Sequence, residues 1–104
     1  MMIHVLATVE LNPGTRDKFL AEFRKIIAPV RAEDGCLEYG PAIDVASGLS
    51  AQGPPRDNVV VVIEKWASLE ALKKHLQTPH MVDYRPKVKN FVVKTTLQVL
   101  TSAE

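Results

Sequence analysis

Residues 3–10, IHVLATVE, set Ile3, Val5, Ala7 and Val9 on one side and His4, Leu6, Thr8 and Glu10 on the other. That two-residue period predicts a strand. Asn12-Pro13-Gly14 reads as a turn, with Thr15 placed to cap a helix. The spacing then changes. Phe19, Leu20, Phe23, Ile26, Ile27 and Val30 recur every three or four residues, the mark of an amphipathic helix. Pro29 should end or kink it, since its ring and missing N–H interrupt the ladder. After Glu33-Asp34-Gly35, residues 36–45 predict a second strand, interrupted at Gly40-Pro41 by an edge position or a bulge. Residues 46–58, ASGLSAQGPPRDN, form a loop long enough to suggest a lid, a binding loop or a mobile segment. Val59 to Ile63, running on to Trp66, is the strongest strand in the chain. Ser68 caps a second helix with Leu69, Leu72 and Leu76 on one stripe, and Pro79 stops it. A short helical piece over 82–89 and a last strand over 91–100 complete the order.

This order, β-α-β-β-α-β, predicts a ferredoxin-like α+β fold: an antiparallel sheet with both helices on one face. The run VVVVI then adds something. A strand with one wet face should alternate, and this one does not, so both of its faces are expected to be dry. Two helices cover only one face of a four-stranded sheet. A second copy of the chain is the economical cover for the other, giving a two-fold homodimer.

Composition narrows the function classes. A chain of 104 residues predicts one domain, residues 1–104, with a single core. Apolar residues at 46% and charged residues at 24% fit a soluble globular protein. Formal net charge is +1, with no basic cluster interleaved with aromatics, which argues against a nucleic-acid partner. No apolar run approaches the ~20 residues of a membrane span. The N-terminus lacks the basic and cleavage-site features of an export signal, so the expected compartment is the cytoplasm. The single cysteine, Cys36, cannot form an internal disulfide and reads as a buried structural thiol.

Candidate chemistry gathers in residues 75–84, HLQTPHMVDY, which hold two of the three histidines and one of the two tyrosines. His75 lies roughly 90° from the centre of the leucine stripe, at the border of the buried face, where an imidazole can touch a cavity and still reach a partner. His80 follows Pro79, with Asp83 and Tyr84 on the same helical face; Asp83 is placed to fix the imidazole tautomer. Alternatively, His80 satisfies free carbonyls at the end of the preceding helix. Two histidines five apart across a proline, with no further ligands at familiar spacing, make a poor metal site. Strand parity puts Trp66 on one face with Glu64 and Val62, either as core filler or as one wall of a planar ligand's pocket. Tyr39 is positioned to bring a hydroxyl to the same cavity. There is no phosphate loop, nucleophile elbow or CxxC motif.

Five segments carry a likeness: Gly35-Cys36, Tyr39-x-Pro41-x-x-Asp44, Gly48-x-Ser50-x-Gln52, Val62-Ile63-Glu64-x-Trp66, and HLQTPHM at 75–81. With them the chain resembles the antibiotic biosynthesis monooxygenase domain proteins over its whole length. The resemblance implies a homodimer, a dimeric α+β barrel whose two sheets pack face to face, with a pocket in each subunit between sheet and helices. It implies oxidation of a hydroquinone or related aromatic by molecular oxygen, with no cofactor and no metal. On that reading His75 is the base and His80 a second base or hydrogen-bond partner. Tyr39 and Tyr84 bond the ring oxygens, Trp66 forms a wall, Asp44 joins the substrate-binding residues and the 46–58 loop serves as a lid. Relatives that degrade haem or isomerise metabolites keep two alternatives open: an isomerase of a small carbonyl compound, and a non-catalytic dimeric binder of quinones or aromatics.

Overall fold

The computed structural model describes residues 1–104. The elements are β1 (Ile3–Leu11), α1 (Arg16–Arg31), β2 (Cys36–Ala42), β3 (Val59–Trp66), α2 (Leu69–His75), α3 (Pro79–Val88) and β4 (Val92–Leu100). The four strands form one antiparallel sheet in the order β2-β3-β1-β4. This is the ferredoxin-like arrangement expected from the element order, with a third helix. No helix is long and apolar enough to cross a membrane.

The alternation in β1 decides which face carries the core. Ile3, Val5, Ala7, Val9 and Leu11 are buried, while Leu6 and Glu10 are exposed. Val62 of β3 pairs with Ala7 and Glu64 with Val5, so Val60, Val62, Glu64 and Trp66 share that face. Helix α1 closes over it with Phe19, Leu20, Phe23, Ile26 and Val30. Pro29 does not end this helix. It sits in the last turn, where forfeiting one bond to a carbonyl four residues back still allows the chain to continue to Arg31. Strand β2 lies at the sheet edge, which tolerates the N–H that Pro41 lacks, and it runs unbroken through Gly40-Pro41. Its register shift falls between Cys36 and Glu38 instead.

Two further boundaries matter for the site. Pro79 begins α3 rather than only stopping α2, because the first helical position has no N–H to lose. That places His80 in the first turn of α3. Gly35, with φ +84°, makes the turn from α1 into β2, and a Cβ there would meet the Ala71 Cβ at 2.6 Å. Only glycine lets this turn approach α2 so closely. The contact is sealed by the Ala67 N–H donating to the Gly35 carbonyl at 2.8 Å. The face of the sheet opposite the helices is open in the single chain: Ile63 is 40% exposed and Leu6 39%.

Candidate active site

Ser68 caps α2 by accepting from the Ala71 N–H at 3.1 Å, and the helix then buries Leu72 and His75 one turn apart. His75 is 1% exposed, so it lies inside the border where helical spacing puts it. Its carbonyl is bound by the Thr78 hydroxyl at 2.9 Å, which closes the turn leading to Pro79. The imidazole leans on Trp66, with ring centroids 4.7 Å apart, and on the edge of Tyr39 at 5.5 Å. Tyr39 in turn stacks on Phe23 at 5.4 Å. Tyr84 of α3 meets Phe23 edge-on at 6.1 Å.

The partner of His75 is a residue that spacing did not suggest. Glu33, in the turn after α1, brings its Oε2 to 2.9 Å from His75 Nδ1 and 2.7 Å from His80 Nε2. One carboxylate oxygen thus receives N–H bonds from both imidazoles. With its proton on Nδ1, a neutral His75 carries its lone pair on Nε2. That atom has no partner in the protein, yet no side-chain nitrogen or oxygen is both buried and unpaired, so Nε2 keeps its access to the adjoining space.

That space is a cleft of about 800 Å³ between the helix-facing side of the sheet and α3. Thirteen of its nineteen lining residues are hydrophobic, which makes it a place for an apolar ligand. Tyr39, Glu64, His75, Tyr84 and Thr95 bring its polar atoms, and Arg85 and Lys89 its cations. Burial pushes both tyrosine hydroxyls well above the ordinary value, with the Glu64 carboxyl adding to the effect at Tyr39 and Glu22 at Tyr84. Both therefore remain hydrogen-bond donors through the neutral range. Burial also raises the Glu64 carboxyl, against the Trp66 N–H and His75, which lower it.

The sequence pattern of the antibiotic biosynthesis monooxygenase family matches residues 2–87. The chain belongs to that family. It is 40% identical over 101 residues to Probable quinol monooxygenase YgiN of Escherichia coli K12, covering 95% of this chain and 96% of the relative. Among solved structures it is similar to Rv0793 from Mycobacterium tuberculosis, at 28% identity and a TM-score of 0.79, covering all of this chain and 97% of that one. PA3566 from Pseudomonas aeruginosa superposes with a TM-score of 0.82 over 99% of this chain and 95% of its own, at 24% identity, which speaks for the fold.

The candidate site residues divide in space. Tyr39, His75 and Tyr84 meet at the cleft. Trp66 does not line it: fully buried, the indole supports His75 from behind and donates its Nε1–H to Glu64 Oε1 at 2.9 Å. His80 also stays outside the cleft. It is turned to Glu33 and borders a smaller depression with Glu22, Lys25, Asp83 and Lys87. Its tautomer is fixed by Glu33, not Asp83, and the α2 carbonyls are served by the backbone, Thr78 and Arg85, not by His80.

Asp44 is absent from the cleft too, its carboxylate clasping Arg56 at 2.8 and 2.9 Å within the long loop. No residue of 43–58 lines the cleft. Cys36 is half-buried against the core, its thiol pushed up by burial and by Glu33 and Glu64. No group of three His, Cys, Asp or Glu side chains is arranged to hold a metal ion.

Two carboxylates at the site, Glu33 and Glu64, are not among the site residues that spacing and resemblance single out. Glu33 is 42 residues from His75 and 47 from His80, so no local period links them. Glu64 did leave a signal, being a carboxylate on the strand face whose neighbours Val62 and Trp66 are core residues.

Proposed function

We propose that the protein is a cofactor-independent monooxygenase of the cytoplasm that oxidises a hydroquinone or related aromatic with molecular oxygen, His75 serving as the base. The observation that carries this reading is the imidazole itself, tied by Nδ1 to Glu33 and open by Nε2 to an apolar cleft. A hydroquinone anion is a far better electron donor to oxygen than the neutral diol, so taking one proton is the useful act. His75 Nε2 accepts it, and the Glu33 carboxylate offsets the imidazolium charge that results. His80 holds Glu33 in place from the other side. The Tyr39 and Tyr84 hydroxyls donate to the ring oxygens. The apolar lining displaces water, which strengthens each of these interactions. The name of the 40%-identical relative, a quinol monooxygenase, supports the same substrate class.

The working unit on this reading is a homodimer joined through the open sheet face. Leu6, Ile63 and Leu100 project there, each 39–41% exposed, and covering them in a second copy would return roughly 1 kcal/mol apiece. The test is oxygen uptake with a menadiol-type quinol, measured above autoxidation, for wild type and His75→Ala of the same molar mass by light scattering. His75→Ala should lose ~10²–10⁴-fold in kcat. Equal uptake by a folded variant defeats the base assignment. Turnover that continues without oxygen would favour an isomerase.

A further inference from the structure

We propose that Glu64 is a second catalytic group, a carboxyl that exchanges protons with reduced dioxygen and with the substrate's second hydroxyl beside His75. This rests on the quinol-oxidation reading of the same cleft.

The position is one that the fold reserves for apolar side chains. Val60, Val62 and Trp66, the companions of Glu64 on the same face of β3, are 0%, 4% and 0% exposed. A carboxyl among them is costly unless it is paired or keeps its proton. Glu64 forms no ion pair; its one bond is from the Trp66 Nε1–H to Oε1. Its other oxygen has no protein partner and, like His75 Nε2, is not sealed off, so it opens into the cleft that both residues line. Desolvation by burial, the largest influence and one to which Glu33 adds, raises the carboxyl above its ordinary value against the Trp66 N–H and His75, which lower it.

The chemistry requires such a group. Oxidising a diol to a quinone removes two protons and two electrons, and reducing dioxygen to peroxide consumes the same. His75 takes the first hydroxyl proton, and the resulting anion passes one electron to dioxygen. Protonated Glu64 gives its proton to the superoxide. The second electron then follows, and the remaining hydroxyl proton passes to the Glu64 carboxylate. The hydroperoxide anion adds to a ring carbon of the quinone, its O–O bond breaks to leave one oxygen atom on the ring, and His75 returns its proton to the hydroxide released. Oxygenated quinone and water leave, and both side chains regain their starting state. One base alone leaves the second proton and the reduced oxygen unserved.

Glu64→Gln is the deciding variant, since the amide keeps the shape and the acceptor for Trp66 but exchanges no proton. Quinol turnover should fall by ~10²-fold or more in kcat, with KM and menadione affinity unchanged. Wild-type kcat in Glu64→Gln overturns the proposal. Infrared difference spectra on menadione binding supply a readout independent of turnover. A carboxylic-acid C=O stretch should respond in wild type and vanish in Glu64→Gln; its absence from wild type overturns the proposal. Should the glutamine variant not fold, Glu64→Asp takes its place, with lowered kcat and a displaced stretch expected and wild-type values for both as the refutation. If wild type consumes no oxygen above autoxidation, the quinol reading fails, and the infrared band alone decides whether Glu64 bears the proton.

Discussion

Glu33 and Asp44 are both loop carboxylates, both well shielded, with side chains 10% and 15% exposed, and each gathers N–H donors from a distance in sequence. Their partners separate them. Asp44 holds Arg56, a guanidinium 52% exposed that stays charged at any working pH. Glu33 holds His75, 2% exposed, an imidazole able to gain and lose a proton and open to the cleft by its other nitrogen. On the proposed reading the same anion fixes a loop in one place and supports proton transfer in the other. What makes a carboxylate part of a catalytic site is whether its partner can change charge where a ligand sits. The sharpest way to break this comparison is to neutralise each carboxylate in turn. Glu33→Gln still accepts the His75 N–H but no longer offsets an imidazolium, so kcat for quinol oxidation should fall by ~10²–10⁴-fold. Asp44→Asn should leave kcat unchanged. Equal losses in the two variants, measured by oxygen uptake, would erase the distinction.

A smaller effect comes from the turn that delivers Glu33. Gly35 has positive φ and lies where a Cβ would sit 2.6 Å from the Ala71 Cβ, so Gly35→Ala must both strain the backbone and push α2 away. A stability loss of roughly 1–3 kcal/mol is expected in urea unfolding. Because the displacement separates the Glu33 turn from α2, kcat should fall as well in the protein that remains folded. A glycine in the Asp44–Arg56 loop is the control: Gly48 also has positive φ, but an added Cβ meets nothing within 4 Å, so Gly48→Ala carries only the backbone cost. A Gly35→Ala protein no less stable than Gly48→Ala would show that the turn is free to move.

The fold was largely legible because its signals are local. The alternation of Ile3 to Val9 correctly named the buried face of β1, and parity placed Glu64 and Trp66 together on β3. Helical spacing found α1 to within its caps; α1 runs two residues past Pro29, and α3 starts at Pro79 rather than at 82, because proline's cost depends on its place in a helix. The site was half legible. His75, Tyr39 and Tyr84 were named, and they meet at the cleft. Glu33 was invisible, since it reaches the histidines only through the Gly35 turn and the α2 contact. Parity also could not tell that the Trp66 ring lies behind the imidazole rather than on the cleft wall. Depth within a layer is set by packing between elements, which no single segment encodes.

The smallest expected effect concerns Asp44 alone and appears only in acid. Hydrogen bonds from the Arg56 side chain and backbone, together with its charge, hold the Asp44 carboxyl at about 2, below its ordinary 3.8. A folded-state value below the unfolded one means that the unfolded chain takes up the proton first as pH falls. The stabilisation is therefore fully present above pH 3.8 and disappears as pH drops through about 2. Arg56 is half exposed to solvent, so the pair's contribution is modest even where complete. Urea midpoints of wild type and Asp44→Asn should differ by a small constant amount at neutral pH, and the two curves should converge across that acid window. A gap that persists below it would assign the stabilisation to loop packing rather than to charge, and Asp44 would then differ from Glu33 in strength of anchoring, not in kind.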